Sequence, residues 1–152
     1  MKGLPAALIL ATALAASAAP ATAMVRGTTD TGRNFVSGGI GSDEVATLNL
    51  ERSHYALAIL TAARGSGAFL ADIHIRITDA HAAVVLDTVM DGPWLLVDLP
   101  AGRYDIQASL DNRVQRTNLT FGSSGHQQAT FYFDTHDEVA PAGAETAAAD
   151  GS

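Results

Sequence analysis

The stretch that decides the fold reads Asp91-Gly-Pro-Trp-Leu-Leu-Val-Asp-Leu-Pro-Ala-Gly-Arg-Tyr-Asp-Ile106. Residues 91–93 interrupt the chain, because glycine permits positive φ while proline fixes φ and removes a hydrogen-bond donor. Residues 95–99 then alternate between apolar and other side chains, residues 100–102 turn the chain again, and the alternation resumes at Tyr104. Alternation with a period of two is typical of a strand that buries one face. The stretch therefore predicts a turn, a strand, a second turn and a second strand.

The same alternation predicts further strands on both sides of this stretch. In all, strands are predicted at residues 55–62, 71–78, 83–89, 95–99, 104–110, 113–121 and 128–133. Asp111-Asn112 is predicted as a two-residue hairpin loop, because Asp and Asn tolerate positive φ. A helix is predicted at residues 43–53, where a Ser42 hydroxyl and two acidic residues suit a helix start. The pattern predicts an all-β protein, a seven-stranded antiparallel β-sandwich with one short N-terminal helix.

The inward-facing members of the alternation define a predicted core. It consists of Ile73, Ile75, Ile77, Leu95, Val97, Tyr104, Ile106, Leu119, Phe131 and Phe133. The glycine-rich residues 35–41 contain no complete phosphate-loop motif and are predicted as a flexible turn.

The termini differ in composition from the middle of the chain. Residues 1–23 are predicted as a secretory signal peptide, with Lys2 before an apolar run and Ala21-Thr22-Ala23 before Met24; cleavage after Ala19 is the alternative. We expect a flexible lead-in at residues 24–34, the sandwich domain at 35–134, and a disordered, acidic, alanine-rich tail at 135–152. The expected location is periplasmic or secreted.

Composition excludes several classes of partner. The chain has 9 basic and 16 acidic residues, a net charge of −7 and no cysteine. Nucleic acid is not an expected partner, because its binding requires clustered cations that neutralise phosphates. The N-terminal apolar run is too short for a transmembrane helix, so we do not expect a membrane-spanning protein.

Four segments together resemble a known family. They are Ser37-Gly-Gly-Ile-Gly-Ser-Asp-Glu44, Phe69-Leu-Ala-Asp-Ile73, Asp91-Gly-Pro-Trp94 and Leu99-Pro-Ala-Gly-Arg-Tyr104. Over about residues 35–133 the chain resembles small exported bacterial carboxypeptidase regulatory-like proteins, whose fold is the transthyretin-like, or prealbumin-like, sandwich. The last segment matches that family's Leu-Pro-x-Gly-x-Tyr motif. The resemblance implies a non-catalytic module, and the zinc ligands of the associated peptidase have no counterpart here.

Few residues stand out as candidates for chemistry. Trp94 is predicted either as an apolar plug beneath the turn at residues 91–93 or as an exposed platform for a sugar ring or a partner side chain. Asp72 and His74 are the one local pair that could bind a ligand, and Arg76 beside them disfavours a cation. No catalytic residue is predicted, since no serine lies in a Gly-x-Ser-x-Gly elbow and the chain has no cysteine. No metal site or cofactor is predicted, because a metal needs two or three converging imidazoles or carboxylates.

We therefore expect a non-enzymatic β-sandwich module of the periplasm or the secreted fraction that binds a protein or a glycan in the cell envelope. The alternative is a transthyretin-like small-molecule carrier or hydrolase with its site at a subunit interface. The urate-pathway hydrolases of that fold end in Tyr-Arg-Gly-Ser. This chain ends in Ala149-Asp-Gly-Ser152 instead, so that particular activity is not expected.

Overall fold

The structure is a computed structural model that describes residues 24–135, so the predicted signal peptide and residues 136–152 of the predicted tail lie outside the described residues. In chain order the elements are β1 (Val25–Thr28), β2 (Asn34–Gly38), α1 (Ser42–Glu51), a 3₁₀ turn (Arg52–His54), β3 (Leu57–Ala63), β4 (His74–Asp79), β5 (Val84–Val89), β6 (Trp94–Val97), β7 (Gly102–Leu110), β8 (Arg113–Phe121) and β9 (Gln127–Phe133). The predicted short helix is confirmed as α1.

The strands form two sheets. The five-stranded sheet has the order β1-β2-β6-β3-β9, and the four-stranded sheet has the order β5-β4-β7-β8. All neighbouring strands are antiparallel except β3 and β9, which are parallel. The all-β, sandwich-like prediction is confirmed. The prediction of seven purely antiparallel strands is wrong, because residues 24–135 form nine strands and include a parallel pair.

The two strands missing from the prediction are β1 and β2. β1 lies in the segment predicted as a lead-in, and β2 begins at the last residue of that lead-in and continues into the segment predicted as a flexible turn. Phe35 packs on the main core, whereas Val36 is buried beneath α1 on the opposite face. A strand covered on both faces shows no apolar–polar alternation, and β2 therefore lacks the pattern that identifies the other strands.

The main core lies between the two sheets and contains the predicted residues. All ten of them belong to this core or pack against it, and Leu119 alone among them is only partly buried. Tyr104 donates a hydrogen bond from its hydroxyl to the carbonyl of Pro100 at 2.8 Å, which ties the start of β7 to the preceding turn. Burial raises the pKa of the Tyr104 phenol, so it stays protonated and able to donate.

The hairpin between β7 and β8 has the predicted register. Leu110 lies opposite Arg113, and Asp111 takes up a positive φ of 52° in the two-residue loop. Asp and Asn tolerate this backbone conformation better than other non-glycine residues do, which explains the choice of residues. Alternate residues of β8 therefore point toward the core, as predicted.

Helix α1 covers part of the outer face of the five-stranded sheet and creates a second, smaller core. Its buried members are Val36, Leu48, Ala58 and Leu96. The helix start differs from the prediction, because Gly41 occupies the N-cap and makes no side-chain cap. Instead, the Glu44 carboxylate accepts hydrogen bonds from the backbone N–H groups of Gly39 and Ile40. Within residues 24–135 no helix has the length and apolar character needed to cross a bilayer.

Candidate functional site

Trp94 is the first residue of β6 and lies at the border of the second core. It is partly buried and packs with the residues beneath α1. A Cβ atom at Gly39 would lie 2.7 Å from its indole ring, so the chain approaches the ring closely there. The Arg52 guanidinium lies 5.2 Å from the ring centroid, in the geometry of a cation–π contact. The protein itself thus occupies much of the indole surface.

Two exposed aromatic side chains, Phe69 and Tyr132, lie on the same outer face of the five-stranded sheet as the partly buried Trp94. Ala62 of β3 pairs with Phe69 on one side and with Tyr132 of β9 on the other. Residues paired across neighbouring strands share a face of the sheet. Phe69 is 60% exposed and Tyr132 is 46% exposed, whereas Ala62 between them is 3% exposed. We call Phe69, Ala62 and Tyr132 the aromatic row.

The next row of the sheet joins Trp94 to the aromatic row. Leu60 lies between Trp94 of β6 and Thr130 of β9, two residues along β3 from Ala62. Polar groups border the rows, since Arg52 donates to Gln128 and Arg64 forms an ion pair with Asp134 at 3.2 Å. The result is a pair of largely apolar rows that extends from Trp94 to the aromatic row and is bordered by hydrogen-bonding groups.

Asp72 and His74, the predicted pair, are not joined by a hydrogen bond within the described residues. Asp72 is exposed and has a φ of 59°, and its backbone N–H donates a hydrogen bond to the carbonyl of Met90 at 2.9 Å. His74 lies on the outer face of the four-stranded sheet and its imidazole Nε2 contacts the carboxylate of Asp87 instead. The partner of His74 comes from β5, which the local spacing of Asp72 and His74 did not reveal.

The outer face of the four-stranded sheet carries polar side chains from three neighbouring strands. Arg76 of β4, Gln107 of β7 and Arg116 of β8 lie in register in one row. Thr78, Asp105 and Asn118 form the adjacent row on the same face. These six residues line a shallow cavity of about 650 Å³. We call them the polar face.

A smaller cavity lies at the end of the sandwich where loops meet. Its volume is about 310 Å³, and its walls include His54, His126 and the ion pair of Arg33 with Asp98. The Nδ1 atom of His126 lies 2.8 Å from the carbonyl oxygen of Tyr55. A carbonyl can only accept, so Nδ1 carries the proton in this contact. Nowhere in residues 24–135 do three or more His, Asp or Glu side chains gather as metal ligands.

No family model, no curated protein and no solved structure matches this chain. The family resemblance of the four segments therefore stays a prediction. A sandwich fold hosts many activities, so the fold alone does not identify the function.

Proposed function

We propose that this protein is an exported, non-enzymatic β-sandwich module that binds a protein or glycan partner in the cell envelope through the aromatic row. The observation that carries the proposal is the exposure of Phe69 and Tyr132 on either side of Ala62. Aromatic rings are enriched at binding surfaces, because they bury a large area with few rotatable bonds. The resemblance to accessory modules supports a non-enzymatic role.

The open edges of the sheets offer a weaker basis for binding. Gln115 of β8 donates to the Tyr132 carbonyl of β9, and Gln127 of β9 donates to the Thr120 carbonyl of β8. On the opposite side, the N–H of Asp30 donates to the Val85 carbonyl of β5. Side-chain caps and short strands are the means by which proteins block strand addition. The face of the five-stranded sheet is thus the better candidate.

Sedimentation with isolated cell envelopes tests the proposal. The wild-type protein is expected to sediment with the envelope, and the double variant Phe69→Ser/Tyr132→Ser is expected to remain in the supernatant. Leu50→Ser is the matched control, because Leu50 is 80% exposed on α1, outside the row. Envelopes treated with protease distinguish a glycan, which survives treatment, from a protein. Equal sedimentation of the double variant and the wild type would exclude the aromatic row as the binding site.

Export rests on the predicted signal peptide and has a separate test. The mature protein is expected to begin near Met24, after Ala21-Thr22-Ala23. Intact-mass measurement of protein recovered from the periplasm checks this expectation. Retention of residues 1–23 in the recovered protein would refute it.

The alternative, a small-molecule carrier or hydrolase, is favoured by one observation, the end cavity with two histidines. If the alternative is correct, the wild-type protein binds or turns over a small substrate, and His126→Ala abolishes that binding or turnover. A monomer by light scattering would remove the version with a site shared between subunits.

A further inference from the structure

The polar face carries a second inference that does not depend on the aromatic row. Its two rows cross β4, β7 and β8 in register, and neighbouring strands are about 4.8 Å apart. The Cα atoms of Arg76 and Arg116 are thus separated by two strand spacings, with Gln107 between them. The shallow cavity above them has a volume of about 650 Å³.

Several hydrogen-bond donors and acceptors on the side chains of the polar face have no partner among the described residues. Arg116 donates through Nε to the Gln107 amide oxygen at 3.1 Å, so its two terminal nitrogens remain available. Arg76 has one long ion-pair contact, at 3.8 Å, with Asp87. Among residues 24–135, the other side-chain bonds on this face are Gln107 to Ser109 and His74 to Asp87. Thr78, Asp105 and Asn118 are therefore left to water or a ligand.

The charges of the polar face differ from those of the whole chain. The chain has a net charge of −7, yet two guanidinium groups flank this cavity with a single carboxylate, Asp105, among its lining residues. Arg116 has no carboxylate within 4 Å among the described residues. Asp87 offsets part of the charge of Arg76, whereas the charge of Arg116 has no such carboxylate beside it among the described residues and suits an anionic ligand.

The mixture of groups narrows the class of that anion. A guanidinium binds a carboxylate through two parallel hydrogen bonds. Asp105 in the adjacent row accepts hydrogen bonds, and Asn118 and Thr78 both donate and accept, as vicinal hydroxyl groups require. A dense polyphosphate would be repelled by Asp105, whereas a sugar carrying one carboxylate per ring places its hydroxyls there. We propose that the polar face binds a uronate-containing oligosaccharide, with its carboxylate at Arg76 and Arg116 and its hydroxyls at Asp105 and Asn118.

Calorimetric titration with tri-galacturonate tests this assignment, with neutral galactotriose as the comparison ligand. We expect binding of the acidic trisaccharide alone. Arg116→Gln is expected to weaken it about tenfold or more, the effect of losing a charged hydrogen-bond partner. Arg64→Gln, which removes the same charge beside Asp134 on the other sheet, is the matched control and is expected to bind as the wild type does. If Arg116→Gln fails to fold, Arg76→Gln replaces it as the variant that is expected to weaken binding of the acidic trisaccharide.

Three outcomes would overturn the proposal. One is the absence of tri-galacturonate binding at millimolar concentration. Another is equal weakening by Arg64→Gln and Arg116→Gln, which would indicate unspecific attraction of an anion. The third is equal affinity for hexaglutamate, which would indicate an acidic peptide as the ligand. Because the aromatic-row variants leave all six polar-face residues in place, this proposal and the proposed function can fail separately.

Discussion

Tyr104 stabilises the fold through one polar atom as well as through its ring. Its ring packs edge-on against Phe121 at 5.9 Å between centroids, and its hydroxyl binds the Pro100 carbonyl. Tyr104→Phe keeps the ring and is expected to lower the free energy of unfolding by about 0.5–1.5 kcal/mol. Urea denaturation measures the change. Tyr132→Phe is the control, because that residue is 46% exposed, and a change equal to that of Tyr104→Phe would contradict the role of the hydroxyl bond.

Neighbouring residues of β4 test the assignment of its two faces. Ile75 is fully buried in the main core, whereas His74 lies on the outer face with a partly exposed side chain. Ile75→Ala is expected to lower the free energy of unfolding by about 2–5 kcal/mol, through lost transfer energy and the cavity left behind. His74→Ala removes a surface contact worth at most about 1 kcal/mol. If thermal unfolding shows the two variants to be equally stable, the face assignment is wrong.

At this scale the sequence predicts which face a residue occupies but not which residue it contacts. Alternation identified the core positions of β4, because period two is a local property of the strand. The partner of His74 depends on the register of β4 against β5, which brings Asp87 beside it. Likewise, the cover over Trp94 comes from Arg52 and Gly39, which lie far from it in the chain.

At the scale of elements, Gly92 allows the turn before β6 to approach β2. A Cβ atom at this position would lie 2.3 Å from the carbonyl oxygen of Gly38, a backbone atom that cannot turn aside. Gly92→Ala is expected to cost about 1–3 kcal/mol, the usual penalty of overpacking. Gly122→Ala is the control, because a Cβ there meets nothing within 4 Å. Chemical denaturation that finds equal stabilities for the two variants would contradict the close approach.

An ion pair joins β1 to the end of α1 and makes part of the stability depend on pH. Arg26 donates two hydrogen bonds of 2.8 Å to the Glu51 carboxylate, and they hold the pKa of Glu51 below its ordinary value. The stability from this pair is present above the unfolded-state pKa of a glutamate and is lost as pH falls through the lower, folded-state pKa. Both side chains are partly exposed, so the contribution is at most about 1 kcal/mol.

The variant Glu51→Gln measures that contribution. It is expected to be slightly less stable than the wild type at neutral pH, and the difference is expected to shrink in acid and in 1 M salt, which screens exposed charges. Thermal unfolding at several pH values follows the difference. A difference that persists unchanged in acid would show that Glu51 acts through something other than its charge.

Most strands after residue 55 were predictable, and the sheet arrangement was not. The strands β4 and β7 alternate because one face meets the core and the other meets solvent. β2 has no such pattern, since α1 covers its second face. The parallel pairing of β3 with β9 joins segments far apart in the chain, and no local pattern specifies such a partner.

The whole molecule presents two unlike outer faces. On the outer face of the five-stranded sheet, α1 covers the second core and the aromatic row is exposed. The outer face of the four-stranded sheet carries the polar face and is not covered by a helix among the described residues. An antiparallel sheet ordinarily keeps one polar, solvated face, so the polar face is stable without a covering element. Phe69 and Tyr132 flank the buried Ala62, yet they remain 60% and 46% exposed, and the polar face has no exposed aromatic side chain among the described residues. The central claim, binding through the aromatic row, rests on that contrast.

Site-specific photo-crosslinking tests this claim most directly. A benzophenone amino acid replaces Tyr132 in one variant and the exposed Leu50 of α1 in the other, and cells exporting each protein are irradiated. Benzophenone inserts into C–H bonds of proteins and glycans alike, so mass spectrometry of the adducts reports either kind of partner. The account predicts one reproducible envelope adduct from position 132 that is missing from position 50. No adduct from position 132, or the same adducts from both positions, would contradict it.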